Sequence, residues 1–156
     1  MFNKIRAGYR LFMFMVVLTF YVLRFLVVGL FKGLTLDLGL RHRQQCCRSM
    51  MKVLNIEVIT KGTIRHGNYL FISNHRSYID PFVETLHITA LAVAKAEVSS
   101  WPIIGFGIKI TGTYFVQRDD KTSRKAAREG IARTIKSGRS MLVYPEGTTT
   151  DLPQTI

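Results

Sequence analysis

Cysteine and acidic residues are scarce in this 156-residue chain. Its two cysteines, Cys46 and Cys47, are adjacent, and neighbouring cysteines seldom reach the geometry of an unstrained disulfide. With no C-x-x-C motif either, a disulfide scaffold is excluded, and we expect reduced thiols in a chain that faces the cytosol. Ten Asp and Glu oppose 22 Lys and Arg, so the net charge of +12 indicates an anionic partner: nucleic acid, a membrane surface or a phosphorylated substrate. Disorder is excluded, because 47% of the residues are hydrophobic and offer enough apolar surface to offset the ordering entropy.

Charge is also nearly absent from one stretch near the N-terminus. Residues 11–31 are apolar apart from Arg24, and 21 such residues are enough to span a bilayer core. Basic residues flank the run on both sides, however, which fits the positive-inside rule poorly for a simple span. We therefore predict that residues 1–35 form a helix, or a helical hairpin broken around Gly29 and Gly33, that inserts into one leaflet from the cytosolic side. A single membrane span is the second interpretation and a buried core helix the third. A cleaved signal peptide is not favoured, because no small-residue cleavage site follows the run.

The rest of the chain alternates between strand-like and helix-like segments. Strands are predicted at residues 55–60, 69–73, 91–94, 113–117 and 140–144, and helices at 36–51, 81–87, 101–110 and 123–136. Thr122 or Ser123 is the expected N-cap of the last helix, and Gly138 ends it. Strands separated by helices of this length predict an α/β fold for residues 36–156, with a mixed, partly parallel sheet flanked by helices.

A histidine and an aspartate follow the strand predicted at residues 69–73. On a continuous helix, five residues would separate His75 and Asp80 by roughly 140° about the axis, so the two side chains meet only if the backbone turns between them. Such a pair forms a general base whose tautomer and orientation the carboxylate fixes. No G-x-S-x-G motif offers a serine nucleophile, so the base would act directly on a substrate hydroxyl. The structural alternative makes Asp80 a helix N-cap, with Pro81 at the first helical position, and His75 an ordinary loop residue.

Two further polar groups follow later strands, at the edge where open α/β sheets place their sites. Arg118 comes after the strand predicted at residues 113–117. Its guanidinium fork suits a phosphate, although the two aspartates that follow it are alternative surface partners. Glu146 and Gly147 come after the last predicted strand. A carboxylate there can bind a substrate hydroxyl or anchor a loop, and the glycine permits a sharp corner.

Together these residues resemble the sequence blocks of the membrane glycerolipid acyltransferases, the lysophosphatidate (1-acylglycerol-3-phosphate) O-acyltransferase superfamily. The N-H-x-x-x-x-D block of that family is matched by Asn74, His75 and Asp80. Its G-x-x-F-x-x-R block is matched by Gly112, Phe115 and Arg118. Its P-E-G-T block is matched by Pro145, Glu146, Gly147 and Thr148. The order and spacing of the blocks agree over about residues 50–150.

The resemblance implies an enzyme and a role for each matched residue. His75 would deprotonate the acceptor hydroxyl while Asp80 holds it, and the hydroxyl would attack the thioester of acyl-CoA or acyl carrier protein. Arg118, with Gly112 nearby, would hold the phosphate of the acceptor. The remaining matched residues would help to bind the acceptor: Phe115, Glu146, Gly147 and Thr148. The implied reaction converts 1-acylglycerol-3-phosphate to phosphatidic acid in phospholipid biosynthesis, at a membrane, with no metal and no cofactor beyond the acyl donor.

Two features depart from the pattern of that family. Its members continue past the third block through a fourth, apolar block containing proline, whereas this sequence ends ten residues after Glu146. We therefore expect a sheet that lacks strands and an incomplete acyl tunnel, and an inactive membrane-bound fragment is an alternative. Many lysophosphatidate enzymes have an arginine where Thr149 stands, which leaves another lysolipid acceptor open.

Basic residues crowd the helix predicted at residues 123–136 and raise one more alternative. A protein this basic is a candidate for nucleic-acid binding, which aromatic residues interleaved with basic ones would support. The aromatic residues are instead concentrated in residues 11–31, so we expect no nucleic-acid partner. The basic face would attract anionic lipid headgroups or the phosphates of CoA, or else is a solvated helix surface.

Overall fold

The computed structural model describes residues 2–64 and 67–147. The helices are α1 (Phe2–Lys32), α2 (Leu36–Leu54), α3 (Asp80–Glu84), α4 (Ile104–Lys109) and α5 (Lys121–Lys136), with a 3-10 helix at Ala96–Ser100. The strands are β1 (Leu70–Ile72), β2 (Ala90–Lys95), β3 (Tyr114–Val116) and β4 (Ser140–Val143). They form one sheet in the order β1-β4-β2-β3. The predicted α/β fold is confirmed, and the described strand pairs are parallel throughout rather than mixed.

The parallel sheet brings the ends of separate strands together. Because the described strands run in one direction, the segments that follow β1, β3 and β4 all leave from one edge, which we call the carboxyl edge. One sheet face carries Leu91 and Met141, which are paired in register on β2 and β4. These side chains are buried against Leu40 of α2, with Ile131 and Ile135 of α5 packed beside them. The helices on this face thus hold the strands whose ends form the carboxyl edge.

Helices α1 and α2 pack side by side in opposite directions. α1 continues unbroken through Gly29 to Lys32, so the predicted break falls at Gly33, where φ is 81°. Cys46 and Cys47 lie buried on α2 as free thiols. Leu34 in the turn lies against Gly29, and the contacts between the two helices then run outward in antiparallel order: His42 with Phe25, and Ser49 with Tyr21.

Within the part of the chain that the structure describes, most of the apolar surface of α1 has no protein neighbour. The described residues bury only 11% of its most apolar 18-residue window, which does not fit a buried core helix. Among the described helices, α1 is the one long and apolar enough to cross a membrane. It also contributes Leu18 to a core shared with α2 and α3, and Arg24 donates a hydrogen bond to Gln45 of α2. The division into an anchor ending at residue 35 and a catalytic part therefore stays a prediction. The exposed apolar side chains of α1 are Ile5, Tyr9, Leu11, Phe12, Val16, Phe20, Leu23, Val27, Leu30 and Phe31.

The strand predicted at residues 55–60 is wrong. The structure gives this segment no strand, although its alternating pattern of burial is real. Ile56 and Val58 pack against the core formed by α1, α2 and α3, while Asn55, Glu57 and Ile59 are exposed. One-sided packing therefore produces the two-residue period without a neighbouring strand to pair with.

The predicted cap of α5 is also wrong by two or three residues. The N-cap is Asp120, whose carboxylate accepts hydrogen bonds from the backbone N–H of Thr122 at 2.8 Å and of Ser123 at 3.2 Å. A carboxylate there satisfies two backbone donors that the first helical turn leaves unpaired. The two residues predicted as caps are instead the residues that are capped.

Candidate active site

His75 and Asp80 meet at the carboxyl edge, in the loop between β1 and α3. His75 Nδ1 lies 3.1 Å from Asp80 Oδ2, and the two side chains are only 16% and 21% exposed. The same oxygen accepts hydrogen bonds from the backbone N–H of Arg76 at 2.6 Å and of Ser77 at 2.7 Å. Because an ionised carboxylate only accepts, the neutral imidazole carries its proton on Nδ1 and keeps a lone pair on Nε2. This is the arrangement of an oriented general base.

The structure also shows whether the carboxylate of Asp80 caps α3 or binds the preceding loop. Asp80 is the first residue of α3 and Pro81 follows it, as the capping interpretation requires. Its side chain nevertheless turns back to the preceding loop, and the N-cap position, Ile79, makes no side-chain capping bond. The carboxylate therefore organises the loop that presents His75 rather than the helix that follows.

Tyr144, the first residue after β4, packs face to face against the imidazole of His75. The ring centroids are 4.4 Å apart and the planes are inclined by 24°. The Tyr144 hydroxyl donates to Glu84 Oε2 at 2.8 Å, and Ser73 donates to the other carboxylate oxygen. Burial raises the pKa of Glu84, and burial followed by the bond to Glu84 raises the pKa of Tyr144. The phenol therefore stays neutral and donates a hydrogen bond to the carboxylate.

Arg118 reaches the same edge from the end of β3. Gly147 closes a turn: its N–H donates to the carbonyl oxygen of Tyr144 at 3.0 Å. Its φ is 68°, which glycine adopts without strain. A Cβ atom on Gly147 would lie 4.0 Å from Arg118 Nε, so the second and third blocks meet here. Within residues 2–64 and 67–147, Arg118 forms no ion pair, and Asp120 is engaged in capping α5. The surface-pairing alternative is thus not what the structure shows.

Glu146 lies between Tyr144 and Gly147 in the same turn. Both of its carboxylate oxygens are buried, and no donor in the described part of the chain hydrogen-bonds to them. Burying a carboxylate without donors is costly, and both oxygens keep the capacity to accept a hydrogen bond. Thr148, the last residue of the third block, lies outside the described residues.

Gly112 and Phe115 do not join this cluster. Gly112 precedes β3 and so lies at the edge opposite Arg118, beside a cavity of about 440 Å³ that α1 and α4 also line. A Cβ atom there would lie 2.9 Å from Leu36 Cδ1 and 3.0 Å from Leu91 Cδ2, and φ is 69°. Gly112 therefore allows Leu36 and Leu91 to pack closely against the backbone, and it does not lie near Arg118. Phe115 is half-buried in the middle of β3.

A model of the Acyltransferase family matches residues 52–155, a range that contains all three blocks. The chain belongs to this acyltransferase family. It is 31% identical over 105 residues to the lyso-ornithine lipid O-acyltransferase of Rhodobacter capsulatus, which covers 67% of this chain. It is 27% identical over 96 residues to the 1-acyl-sn-glycerol-3-phosphate acyltransferase of Neisseria gonorrhoeae, which covers 62% of this chain. The chain spans 38% of the length of each of these two relatives.

One solved structure shows the same fold. The 1-acyl-sn-glycerophosphate (LPA) acyltransferase PlsC from Thermotoga maritima superposes with a TM-score of 0.79 at 22% identity. The alignment covers 99% of this chain and 64% of that one. The likeness thus includes the apolar helix α1 as well as the sheet.

In this acyltransferase family member, the sequence patterns did not predict three residues of the site: Ser73, Glu84 and Tyr144. A signal for Glu84 was available, because it follows Asp80 by four residues and therefore lies on the same face of a helix. Tyr144 was placed only as the end of a strand. Nothing local connects it with His75, since strand order alone brings β4 beside β1.

Proposed function

We propose that the chain transfers a fatty acyl group from acyl-CoA or acyl carrier protein to a hydroxyl of a lysophospholipid, with 1-acylglycerol-3-phosphate as the favoured acceptor. The hydrogen bond from His75 Nδ1 to Asp80 carries the proposal. It leaves Nε2 as a base at the edge where Arg118 and Glu146 also lie. Family membership supports acyl transfer as the chemistry.

The reaction needs one base and no covalent enzyme intermediate. His75 Nε2 takes the proton of the acceptor hydroxyl while the hydroxyl oxygen attacks the thioester carbonyl carbon. The tetrahedral intermediate then expels the thiolate as the carbon–sulfur bond breaks, and the imidazolium returns the proton to the sulfur. Asp80 stabilises the imidazolium through Nδ1–H during these steps.

Two charged side chains at the carboxyl edge, Arg118 and Glu146, bind the acceptor headgroup. Arg118 offers a planar fork of N–H donors that matches phosphate oxygens in pairs. Glu146 presents acceptor oxygens that lack donors within the described chain, so a free hydroxyl of the glycerol can donate to them. Together the two residues fix the acceptor at two points, which orients the hydroxyl that reacts.

A lyso-ornithine lipid is the second candidate acceptor. The relative from Rhodobacter capsulatus is named for that substrate, and the residue after Thr148 is a threonine rather than the arginine of many lysophosphatidate enzymes. An ornithine headgroup carries a carboxylate and an ammonium. Arg118 pairs with a carboxylate as well as with a phosphate, and the carboxylate of Glu146 accepts from an ammonium.

We further propose that α1 holds the protein in one leaflet, with the carboxyl edge on the cytosolic side. The described residues leave the apolar surface of α1 largely uncovered, and basic residues flank the apolar run at residues 11–31 on both sides. An apolar helix that is exposed along its length is stable in lipid rather than in water. A membrane position also brings lysolipid acceptors within reach of the site.

The test is an acylation assay of the full chain in phospholipid vesicles. Acyl-CoA and acyl carrier protein are supplied in turn as donors, with 1-acylglycerol-3-phosphate and lyso-ornithine lipid as acceptors, and products are identified by mass spectrometry. We expect diacyl product from the wild type and none from His75→Ala. The matched control is His87→Ala, which removes an exposed histidine and should retain full turnover. Product formation at a normal rate by His75→Ala, or no acylation of either lipid by the wild type, would refute the proposal.

A further inference from the structure

The imidazole of His75 is restrained from two directions. The hydrogen bond from Nδ1 to Asp80 fixes where the ring points within its own plane. A single hydrogen bond does not fix the tilt of the ring about the line between the two bonded atoms. The face-to-face contact with Tyr144, at 4.4 Å between centroids, supplies this second restraint. The direction of the Nε2 lone pair therefore depends on where the Tyr144 ring is held.

Tyr144 is in turn held by Glu84. The phenol donates to Glu84 Oε2 at 2.8 Å, and the hydroxyl of Ser73 donates to the other oxygen. The backbone N–H of Ser73 also bonds to the carbonyl of Val143, at 3.2 Å. The ends of β1 and β4 and the helix α3 are thus joined in one closed network around His75.

Burying the polar groups of Glu84 and Tyr144 beside His75 costs more free energy than burying apolar side chains there. Glu84 is half-buried, and burial is the largest influence on its ionisation. A leucine of similar size would fill the space without burying a charge, and buried polar pairs generally stabilise a fold no better than apolar replacements. The carboxylate of Glu84 has a purpose if the hydroxyl of Tyr144 must lie at one position. A hydrogen bond fixes the direction of that hydroxyl, whereas apolar packing does not.

We propose that Tyr144 and Glu84 are positioning residues for His75: the Tyr144 ring sets the tilt of the imidazole, and Glu84 acts by holding the Tyr144 hydroxyl. The proposal rests on the proposed function, in which His75 is the base. Neither residue gives or takes a proton in the proposed reaction. Both should therefore affect the rate of the chemical step and leave substrate binding unchanged.

The first test is kinetic, with the full chain in vesicles. Tyr144→Leu removes the stacked ring and should lower kcat by about tenfold to a hundredfold, since misplacement of a catalytic group by about 1 Å costs that much. Tyr144→Phe keeps the ring and removes the hydroxyl, so its loss should be smaller. KM for donor and acceptor should each stay within about twofold, because binding groups are untouched.

The role of Glu84 is tested by a double-mutant cycle. Glu84→Leu should lower kcat, and Glu84→Gln, whose amide oxygen still accepts from the phenol, should restore most of it. Adding Glu84→Leu to Tyr144→Phe should lower kcat less than Glu84→Leu does in the wild type, because the bond from the phenol is already lost and only the bond from Ser73 remains to be removed. Ile88→Val is the control. It trims the core cluster against which Tyr144 packs and should lower stability while leaving kcat unchanged.

A nuclear magnetic resonance experiment reads the geometry without relying on turnover. With labelled histidine, ring protons of His75 should show an upfield shift from the stacked Tyr144 ring, and His75→Asn assigns the signals. The upfield shift should persist in Tyr144→Phe and disappear in Tyr144→Leu; if Tyr144→Leu does not fold, the reduced shift is expected in Glu84→Leu.

The outcomes separate the two proposals. A wild type that acylates neither lipid overturns the proposed function, and the histidine spectra still decide whether Tyr144 holds the imidazole. An active wild type whose Tyr144→Leu and Glu84→Leu variants keep kcat overturns the positioning role alone. Unchanged His75 signals in both variants overturn it as well, as does a kcat loss in Ile88→Val equal to that in Tyr144→Leu.

Discussion

Replacing Asp80 with asparagine removes one charge from the site and almost no volume. The carboxylate oxygen Oδ2 now accepts three hydrogen bonds, from His75 Nδ1 and from the backbone N–H groups of Arg76 and Ser77. Asparagine offers one acceptor oxygen and two N–H donors. If the oxygen keeps the two backbone donors, the amide N–H₂ faces His75 and donates to Nδ1. The imidazole proton then moves to Nε2, and the base is lost.

Two magnitudes follow from that geometry. Hydrogen bonds to a charged acceptor contribute about 1.5–3 kcal/mol and those to a neutral acceptor about 0.5–1.5 kcal/mol. The two short backbone bonds therefore weaken by about 1 kcal/mol each, and we expect Asp80→Asn to lose about 2 kcal/mol of unfolding free energy. Loss of the base should lower kcat by about 10²-fold or more, equivalent to about 2.7 kcal/mol of transition-state stabilisation.

The assay is steady-state acylation by the full chain, paired with equilibrium unfolding of the same samples. Asp37→Asn is the matched control, because it removes an exposed carboxylate that bonds to Arg139 at 2.7 Å, far along the chain from the site. We expect normal kcat from the control and less loss from Asp80→Asn than from His75→Ala. An Asp80→Asn variant that loses stability but turns over at the normal rate would refute the reasoning and leave Asp80 a purely structural residue.

Three further predictions concern the headgroup site, pH and the membrane. Arg118→Lys keeps the charge but loses the fork, so KM for the phosphorylated acceptor should rise about ten- to a hundredfold while KM for the donor stays constant; equal changes in both constants would count against a phosphate site. Burial raises the pKa of Glu84 above its usual 4.5, so its protonated form favours folding; this contribution is complete below pH 4.5 and is lost as pH rises through the raised pKa. In thermal unfolding between pH 4 and pH 7, the wild type should thus lose stability relative to Glu84→Gln as pH rises, and parallel curves would contradict the assignment. Single cysteines placed before and after the apolar run at residues 11–31, in a chain whose own thiols are buried, should both be labelled from the cytosolic side; labels on opposite faces would establish a span.

The structure brings predicted site residues together where their placement depends on local sequence. His75 and Asp80 lie in one loop, and the need for a turn between them was readable from their spacing. Arg118, Glu146 and Gly147 each follow a strand that the alternation of apolar segments predicted. The differences have physical causes as well. Residues 55–60 show strand periodicity because one side packs on a core. Gly112 lies at the edge opposite Arg118 because its sequence block extends along the whole of β3.

The sequence by itself determined the apolar helix, the strand ends and the three blocks, because each is a pattern within a few residues and depends on backbone and side-chain preferences alone. Only the tertiary structure decided that β4 lies beside β1, and with it the contact between His75 and Tyr144, which are 69 residues apart. Strand order depends on which apolar faces are buried together across the whole chain, and no local pattern encodes that choice. The Glu84–Tyr144 network around the base is therefore a property of the fold, although every residue in it is visible in the sequence.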